Sequence, residues 1–311
     1  MTILSLTRST CVQPFGLKTR ILGRCLSTRA SPVDLAYDVH NGPINPQAEQ
    51  GPLILAHGLF GSKRNWTSTC KAFARELKRP IISLDLRNFG ESPQSEEMDY
   101  RTMASDIIQF CNKHSLKNVS LLGHSMGGKV AMAVALDPDC PKDLLRHLIV
   151  ADIAPVPGRL TSEFPRYMEA MLKIQNEGKV KSRKEAFDAL YEYENDTLIR
   201  HFLLTNLAST PEGEPVKFRT PLDIINRNFG NIGDFPYEPG KVSWDGPTLF
   251  IKGSKSRYIQ DKHYDTMTSF FPHMEIRSLD AGHWVHYEQA SEFIKNITQF
   301  ILQNQTSTPK K

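Results

Sequence analysis

The chain has 311 residues, 40% of them hydrophobic and 23% charged, ordinary proportions for a globular protein with one sizeable core. No run of 18 apolar residues occurs, which argues against a transmembrane helix. The net charge of +4 does not indicate nucleic-acid binding, because Arg8, Lys18, Arg20, Arg24 and Arg29 all lie in the first 30 residues, where no acid occurs; without them the remainder carries about −1.

That N-terminal stretch is rich in Arg, Ser, Thr and Leu, and the first acid is Asp34. This is the composition of a mitochondrial transit peptide. Leu17 and Ile21 stand one helical turn apart beside Lys18 and Arg20, and Arg24-Cys25-Leu26-Ser27 suits a matrix-peptidase cut near Leu26. Residues 1–30 are therefore expected to be a transit peptide, the import machinery a partner and the mature protein mitochondrial. Cys11 and Cys25 fall in this segment; Cys70, Cys111 and Cys140 have neither metal-ligand nor disulfide spacing, as suits a reducing compartment.

Val33–His40 reads as an edge strand and Asn41–Gly51 as a polar loop with two prolines. An alternation follows. Leu53–Ala56, Ile81–Leu84, Val119–Leu122 and Leu148–Val150 are short apolar runs, separated by helical spacing in Asn65–Leu77, Tyr100–His114 and Met126–Leu136. Apolar runs without in/out alternation, interleaved with amphipathic helices, indicate a buried, mostly parallel sheet in a doubly wound α/β domain. After Pro157 the alternation stops. Phe164–Ile174, Arg183–Tyr193 and Thr197–Leu207 are all helical in pattern, and Ser182 with Glu185 forms a capping-box signature. The stretch of about 157–240 thus reads as a helical cap inserted after the strand ending at Asp152. Strands are expected again at Thr248–Lys252 and Met274–Leu279, a last helix at Glu288–Leu302, and a disordered tail at 303–311.

Three segments carry chemistry. Gly123-His124-Ser125-Met126-Gly127 is G-x-S-x-G set between a strand and a helix, the context that turns a weak pattern into a nucleophile elbow. Its glycines allow a tight turn that lifts the Ser125 hydroxyl above the carboxyl end of the sheet and leaves the Met126 amide free at a helix start. His57-Gly58-Leu59-Phe60-Gly61, after the first core strand, offers the Leu59 amide as a second oxyanion donor. Asp280-Ala281-Gly282-His283-Trp284 follows the last strand. A serine hydroxyl needs a base, and His283 is the histidine placed to be one. His286 reads as a surface residue and His124 as a packing residue of the elbow. For the acid that orients His283, Asp152 at a strand end is favoured; Asp261 is the alternative, and Asp280 is badly oriented. Asp85 and Arg87 read as loop-tying residues. No metal-ligand cluster and no G-x-x-x-x-G-K-[ST] loop occurs, so no cofactor is expected.

The segments HGLFGSKRNW, DLRNFGES, GHSMGGKVAMAVAL, VADIAP, GPTLFIKGSKSRYI and DAGHWVHYE, from about Leu53 to Ile301, resemble the mitochondrial α/β-hydrolase-domain proteins. Within these the chain is most similar to the yeast ethanol acetyltransferases, to which FLLTNLAS in the cap adds. The resemblance implies an α/β-hydrolase domain over 31–302 and a triad of Ser125, Asp152 and His283. The loop Asp137–Leu145 departs from the family in being about three residues longer. The activity implied is transfer of acetyl from acetyl-CoA, through acetyl-Ser125, to ethanol, giving ethyl acetate, with thioesterase and esterase side reactions on short acyl esters. A mitochondrial hydrolase of other acyl esters and a non-catalytic binding protein on the same fold are the alternatives.

Overall fold

A computed structural model describes residues 30–41, 50–158 and 160–305. The expected transit peptide, apart from Ala30, lies outside the described residues, as does the tail from residue 306.

Seven strands form one sheet in the order β1-β3-β2-β4-β5-β6-β7: β1 (Tyr37–His40), β2 (Leu53–Ala56), β3 (Ile81–Leu84), β4 (Val119–His124), β5 (Leu145–Ala151), β6 (Thr248–Gly253) and β7 (Met274–Leu279). Only β1, at the edge, runs antiparallel, with Tyr37 opposite Leu84; every other pairing is parallel. β2, β3 and β4 are buried at every position. Helices cover both sides, which is why these strands read as continuous apolar runs.

On one face lie α1 (Thr67–Leu77) and the last helix, α11 (Ala290–Gln303), whose Phe73, Phe293, Ile297 and Phe300 pack with Trp66 on Leu55, Leu122 and Ile149. On the other lie α2 (Tyr100–Lys113) and α3 (Met126–Leu136). Asp99 starts α2 by accepting from the Arg101 and Thr102 amides. α3 is buried along its whole length, so its sequence carries no polar face. Arg87 and Asp106 form a buried two-bond pair, at 2.6 and 2.7 Å, that ties the loop after β3 to α2.

Between β5 and β6 the chain builds α4 (Glu163–Glu177), α5 (Arg183–Ala189), α6 (Thr197–Leu203), α7 (Leu222–Arg227) and α8 (Phe229–Gly233). Ser182 caps α5 by accepting the Glu185 amide at 3.1 Å; the Glu185 carboxylate returns to the Lys181 amide rather than to that of Ser182. Two expected helices end early in 3₁₀ turns, Leu190–Glu192 after α5 and Leu204–Asn206 after α6, and α1 starts late, after the 3₁₀ turn Lys63–Trp66. The expected last helix corresponds to α11, which runs through Gln303, and a short helix not expected from sequence, α10 (Val285–Glu288), precedes it. Residues 304 and 305 are held as well, because Arg146 donates to their carbonyls. The remaining helix, α9 (Tyr264–Phe270), has too few residues for its period to stand out in sequence.

Strand order reverses between β2 and β4, since β3 lies to one side of that pair and β5 to β7 to the other. In open α/β sheets, ligands bind outside the carboxyl ends of strands at such a point. Leu59 follows β2 there and Ser125 follows β4.

Candidate active site

Ser125 links β4 to α3 with φ 53° and ψ −119°. A side chain in this region costs about 1–3 kcal/mol and persists only where packing forces it. The forcing is visible at the flanking glycines. A Cβ on Gly123 would lie 2.1 Å from the Gly127 oxygen, and one on Gly127 would lie 2.4 Å from the Ala56 oxygen. The backbones of β2, β4 and α3 thus meet closer than any side chain allows, and the Ser125 hydroxyl is pushed out of the turn.

His283, four residues beyond β7, reaches that hydroxyl: its Nε2 lies 3.0 Å from Ser125 Oγ. Its Nδ1–H donates to Asp152 Oδ2 at 2.8 Å. A carboxylate only accepts, so this bond fixes the tautomer that leaves Nε2 free to take the serine proton. Asp152 is fully buried just after β5. Its carboxylate also accepts the Gly253 amide at 2.9 Å and the Ser256 hydroxyl, both from the end of β6 and the loop beyond. Asp261 does not approach His283; it is exposed and pairs with Lys252 at 3.6 Å. Asp280 pairs with Lys255 at 3.0 Å.

The two expected oxyanion donors are aimed by the far sides of their own peptide groups. In a trans peptide the C=O and the following N–H point in opposite directions. The Gly58 carbonyl accepts from His57 Nδ1–H at 2.8 Å and from the Gly61 amide at 2.9 Å, which turns the Leu59 N–H the other way. The Ser125 carbonyl accepts the Lys129 amide at 3.1 Å, which turns the Met126 N–H back toward the serine. Leu59, Ser125 and Met126 line one cavity of about 240 Å³ beneath the cap. His57 is itself locked, because its Nε2 accepts the Leu86 amide at 3.0 Å; burial lowers its pKa and keeps it neutral.

Around His283 the histidines divide by role. His124 Nε2–H donates to the His283 carbonyl at 2.9 Å, and its buried ring lies 4.8 Å from that of His283. Burial, then His286 and His283, holds the His124 pKa well below its ordinary value. His286 departs from the surface position expected for it. Its ring lies 4.5 Å from that of Trp66 and 4.4 Å from that of His124, and burial, then His283, pushes its pKa down to about 3. Both neighbours therefore stay neutral and do not compete with His283 for a proton.

Of the apolar cap residues, Phe164, Met168 and Met171 are buried in core packing, and Phe164 also borders the site. Phe202 lies edge-on to Trp284 at 4.7 Å. Together they close a narrow cleft of about 10 Å³ between Ser125, His124 and His283, room for about one water molecule.

Four contributors were not read from sequence. Ser256 bonds the acid; Tyr258 lays its ring 4.1 Å from that of His283 and bonds Thr161 at 2.8 Å; His57 aims the Leu59 amide; and Asn206 of the cap donates to the Phe60 carbonyl at 2.8 Å. The available signal for Ser256 and Tyr258 was the Gly-Ser-Lys-Ser-Arg-Tyr loop, which follows a strand beside that of Asp152 yet carries no carboxylate. For Asn206 only the FLLTNLAS likeness pointed there.

Fold and elbow together define a class, and residues 51–290 match the model of the α/β hydrolase fold family. The chain belongs to that family. It is 38% identical over 275 residues to an sn-1-specific diacylglycerol lipase of Xenopus laevis, covering 86% of this chain and 84% of the lipase. It is 34% identical over 299 residues to a probable alcohol acetyltransferase of Saccharomyces cerevisiae, covering 90% and 86%. A solved marine microorganism esterase superposes with a TM-score of 0.75 at 33% identity, covering 86% of this chain and 99% of the esterase. The likeness to the lipase is as close as that to the acetyltransferase.

Proposed function

We propose that this chain is a serine acyl-transfer enzyme that takes acetyl from acetyl-CoA and delivers it to ethanol, or to water. Ser125 attacks the thioester carbonyl as His283 accepts its proton. Asp152 holds the imidazole in the needed tautomer and steadies its charge, and the Leu59 and Met126 amides stabilise the oxyanion. His283 returns the proton to the departing thiol. Ethanol or water then gives a proton to the same nitrogen, attacks acetyl-Ser125 and releases ethyl acetate or acetate.

The observation that carries this reading is the unbroken hydrogen-bonded chain from Ser125 through His283 to Asp152, opening on the cavity that holds both amides. The cavity supports a small acyl group. Its 240 Å³ falls below the ~300–1,000 Å³ of pockets that enclose drug-sized ligands. The narrow cleft at Phe202 and Trp284 suits water, the smaller of the two acceptors. The test is incubation with acetyl-CoA, with and without ethanol, measuring free CoA and ethyl acetate together and using Ser125→Ala as control. Serine-dependent ester supports the transferase. CoA release without ester makes the chain a thioesterase, and neither product overturns acetyl-CoA as donor.

The same reading puts the enzyme in mitochondria through residues 1–30. A fluorescent protein carrying those residues should be imported, and cytosolic fluorescence would overturn it.

A further inference from the structure

Among the described residues, the cavity that receives Ser125 is lined by three cationic side chains, Lys129, Arg257 and Lys262, and by no carboxylate. Lys129 sits one helical turn past Ser125 and is 4% exposed. Its ammonium donates to the Gly233 and Asp234 carbonyls at 2.9 and 2.8 Å and lies 5.5 Å from the centre of the Tyr100 ring, with no carboxylate in contact. Asp234 acts on it only through space, and burial pulls its pKa down to about 8, so it remains mostly cationic at neutral pH. Arg257 and Lys262 are exposed at the mouth, Arg257 on the loop after β6 that also presents Tyr258 to His283 and Lys262 in the 3₁₀ turn Asp261–His263 that follows it. Among the described residues neither makes an ion pair or hydrogen bond. Two acids lie nearby: Asp261 pairs with Lys252 at 3.6 Å, and Glu163 keeps its charge while accepting from the Thr161 hydroxyl at 2.8 Å.

A buried ammonium and two unpaired surface cations around one opening attract an anion, and low-dielectric walls strengthen that attraction. The geometry points to a phosphate-bearing acyl carrier as the substrate class, with its phosphates held by Arg257 and Lys262 at the mouth and its thioester end reaching Ser125. Leu160 and Val156, both uncharged, line the same cavity, which suits an uncharged linker. This inference rests on the acyl-transfer reading and adds what that reading leaves open: how the carrier is told from a neutral ester. Arg257 is the stronger anchor, because its guanidinium presents a planar fork that phosphate accepts in two bonds.

The experiment compares kcat/KM for acetyl-CoA with that for the neutral thioester S-acetyl-N-acetylcysteamine, in the wild type and in Arg257→Ala/Lys262→Ala. The acetyl-CoA to neutral-thioester ratio is expected to fall at least tenfold in the double variant. In the wild type it is expected to fall several-fold between 20 mM and 300 mM NaCl, as screening weakens charge attraction. A ratio that neither the variant nor salt moves overturns the phosphate site and leaves the acyl-transfer reading standing. Turnover of neither thioester by the wild type overturns both. A parallel pair, lysophosphatidic acid against monoacylglycerol of the same chain, separates a lipid phosphate from a nucleotide one. A charge preference confined to that pair also overturns the proposal.

Discussion

At Ser125 the chain accepts a left-handed backbone that the close approach of Gly123, Gly127 and Ala56 forces on it, and the same geometry places the hydroxyl 3.0 Å from His283. The rest of the site is orientation. Asp152 receives three donors, from His283, Gly253 and Ser256. Hydrogen bonds to a charged acceptor contribute about 1.5–3 kcal/mol each, and about 1.4 kcal/mol is tenfold in rate. Ser256→Ala should therefore lower kcat about tenfold with little change in KM, while Ser256→Thr, which keeps the hydroxyl, recovers most of it. Steady-state kinetics of the two variants check this; equal losses in both would mean that crowding, not the lost donor, is responsible. His57→Leu removes the group that turns the Gly58 carbonyl away from the serine. Losing an oxyanion donor costs about 10²–10³ in kcat. A drop near 10² is expected, again in kcat rather than KM, and a wild-type kcat in a folded variant would show that Gly61 alone holds the peptide.

At the scale of elements, the parallel core was legible because each strand buried on both faces is an uninterrupted apolar run and each covering helix keeps its period. The elbow was legible because Gly-His-Ser-Met-Gly fell between one of each. Pieces of three to seven residues, such as α7, α8, α9 and the 3₁₀ turns, were not, because too few turns exist for periodicity to emerge. Contacts between distant loops were not legible either: Ser256 meets Asp152 across 104 residues and Asn206 meets Phe60 across 146. Asp152, expected at a strand end, follows β5 directly, but its bonds to Gly253 and Ser256 depend on β6 lying beside β5. His286 was misread because the sequence does not reveal that Trp66 and Phe293 close over the turn that carries it. Asn206 shows what the cap does beyond covering. Its side chain donates to the Phe60 and Leu203 carbonyls at 2.8 and 3.1 Å and accepts the Thr220 hydroxyl at 2.8 Å, so one buried amide ties the cap to the oxyanion loop. Asn206→Ala leaves those partners unpaired, at about 1–3 kcal/mol of stability. It should also lower kcat/KM about tenfold by loosening the loop that carries Leu59. Urea unfolding and kinetics measured together check this, and a stability loss with unchanged kcat/KM would confine the residue to the cap.

Across the whole molecule, neutral histidines packed between the sheet and the last helices make the fold sensitive to acid. His286 lies against Trp66, Phe293 and His124, and the titratable groups that face it are His124 and His283. Its folded pKa, down to about 3, is below the ~6.5 of an unfolded histidine. Below pH 6.5 the unfolded chain binds a proton that the folded chain refuses, so stability present above that pH is lost as pH falls toward 3. At pH 5 the loss from His286 alone is about 2 kcal/mol, and His124, shifted in the same direction by burial, adds to it. His286→Phe keeps a ring against Trp66 and removes the titration. It should lose about 2 kcal/mol less than the wild type between pH 7.5 and pH 5 when both are unfolded in urea. Parallel losses would show that the acid sensitivity resides in His124.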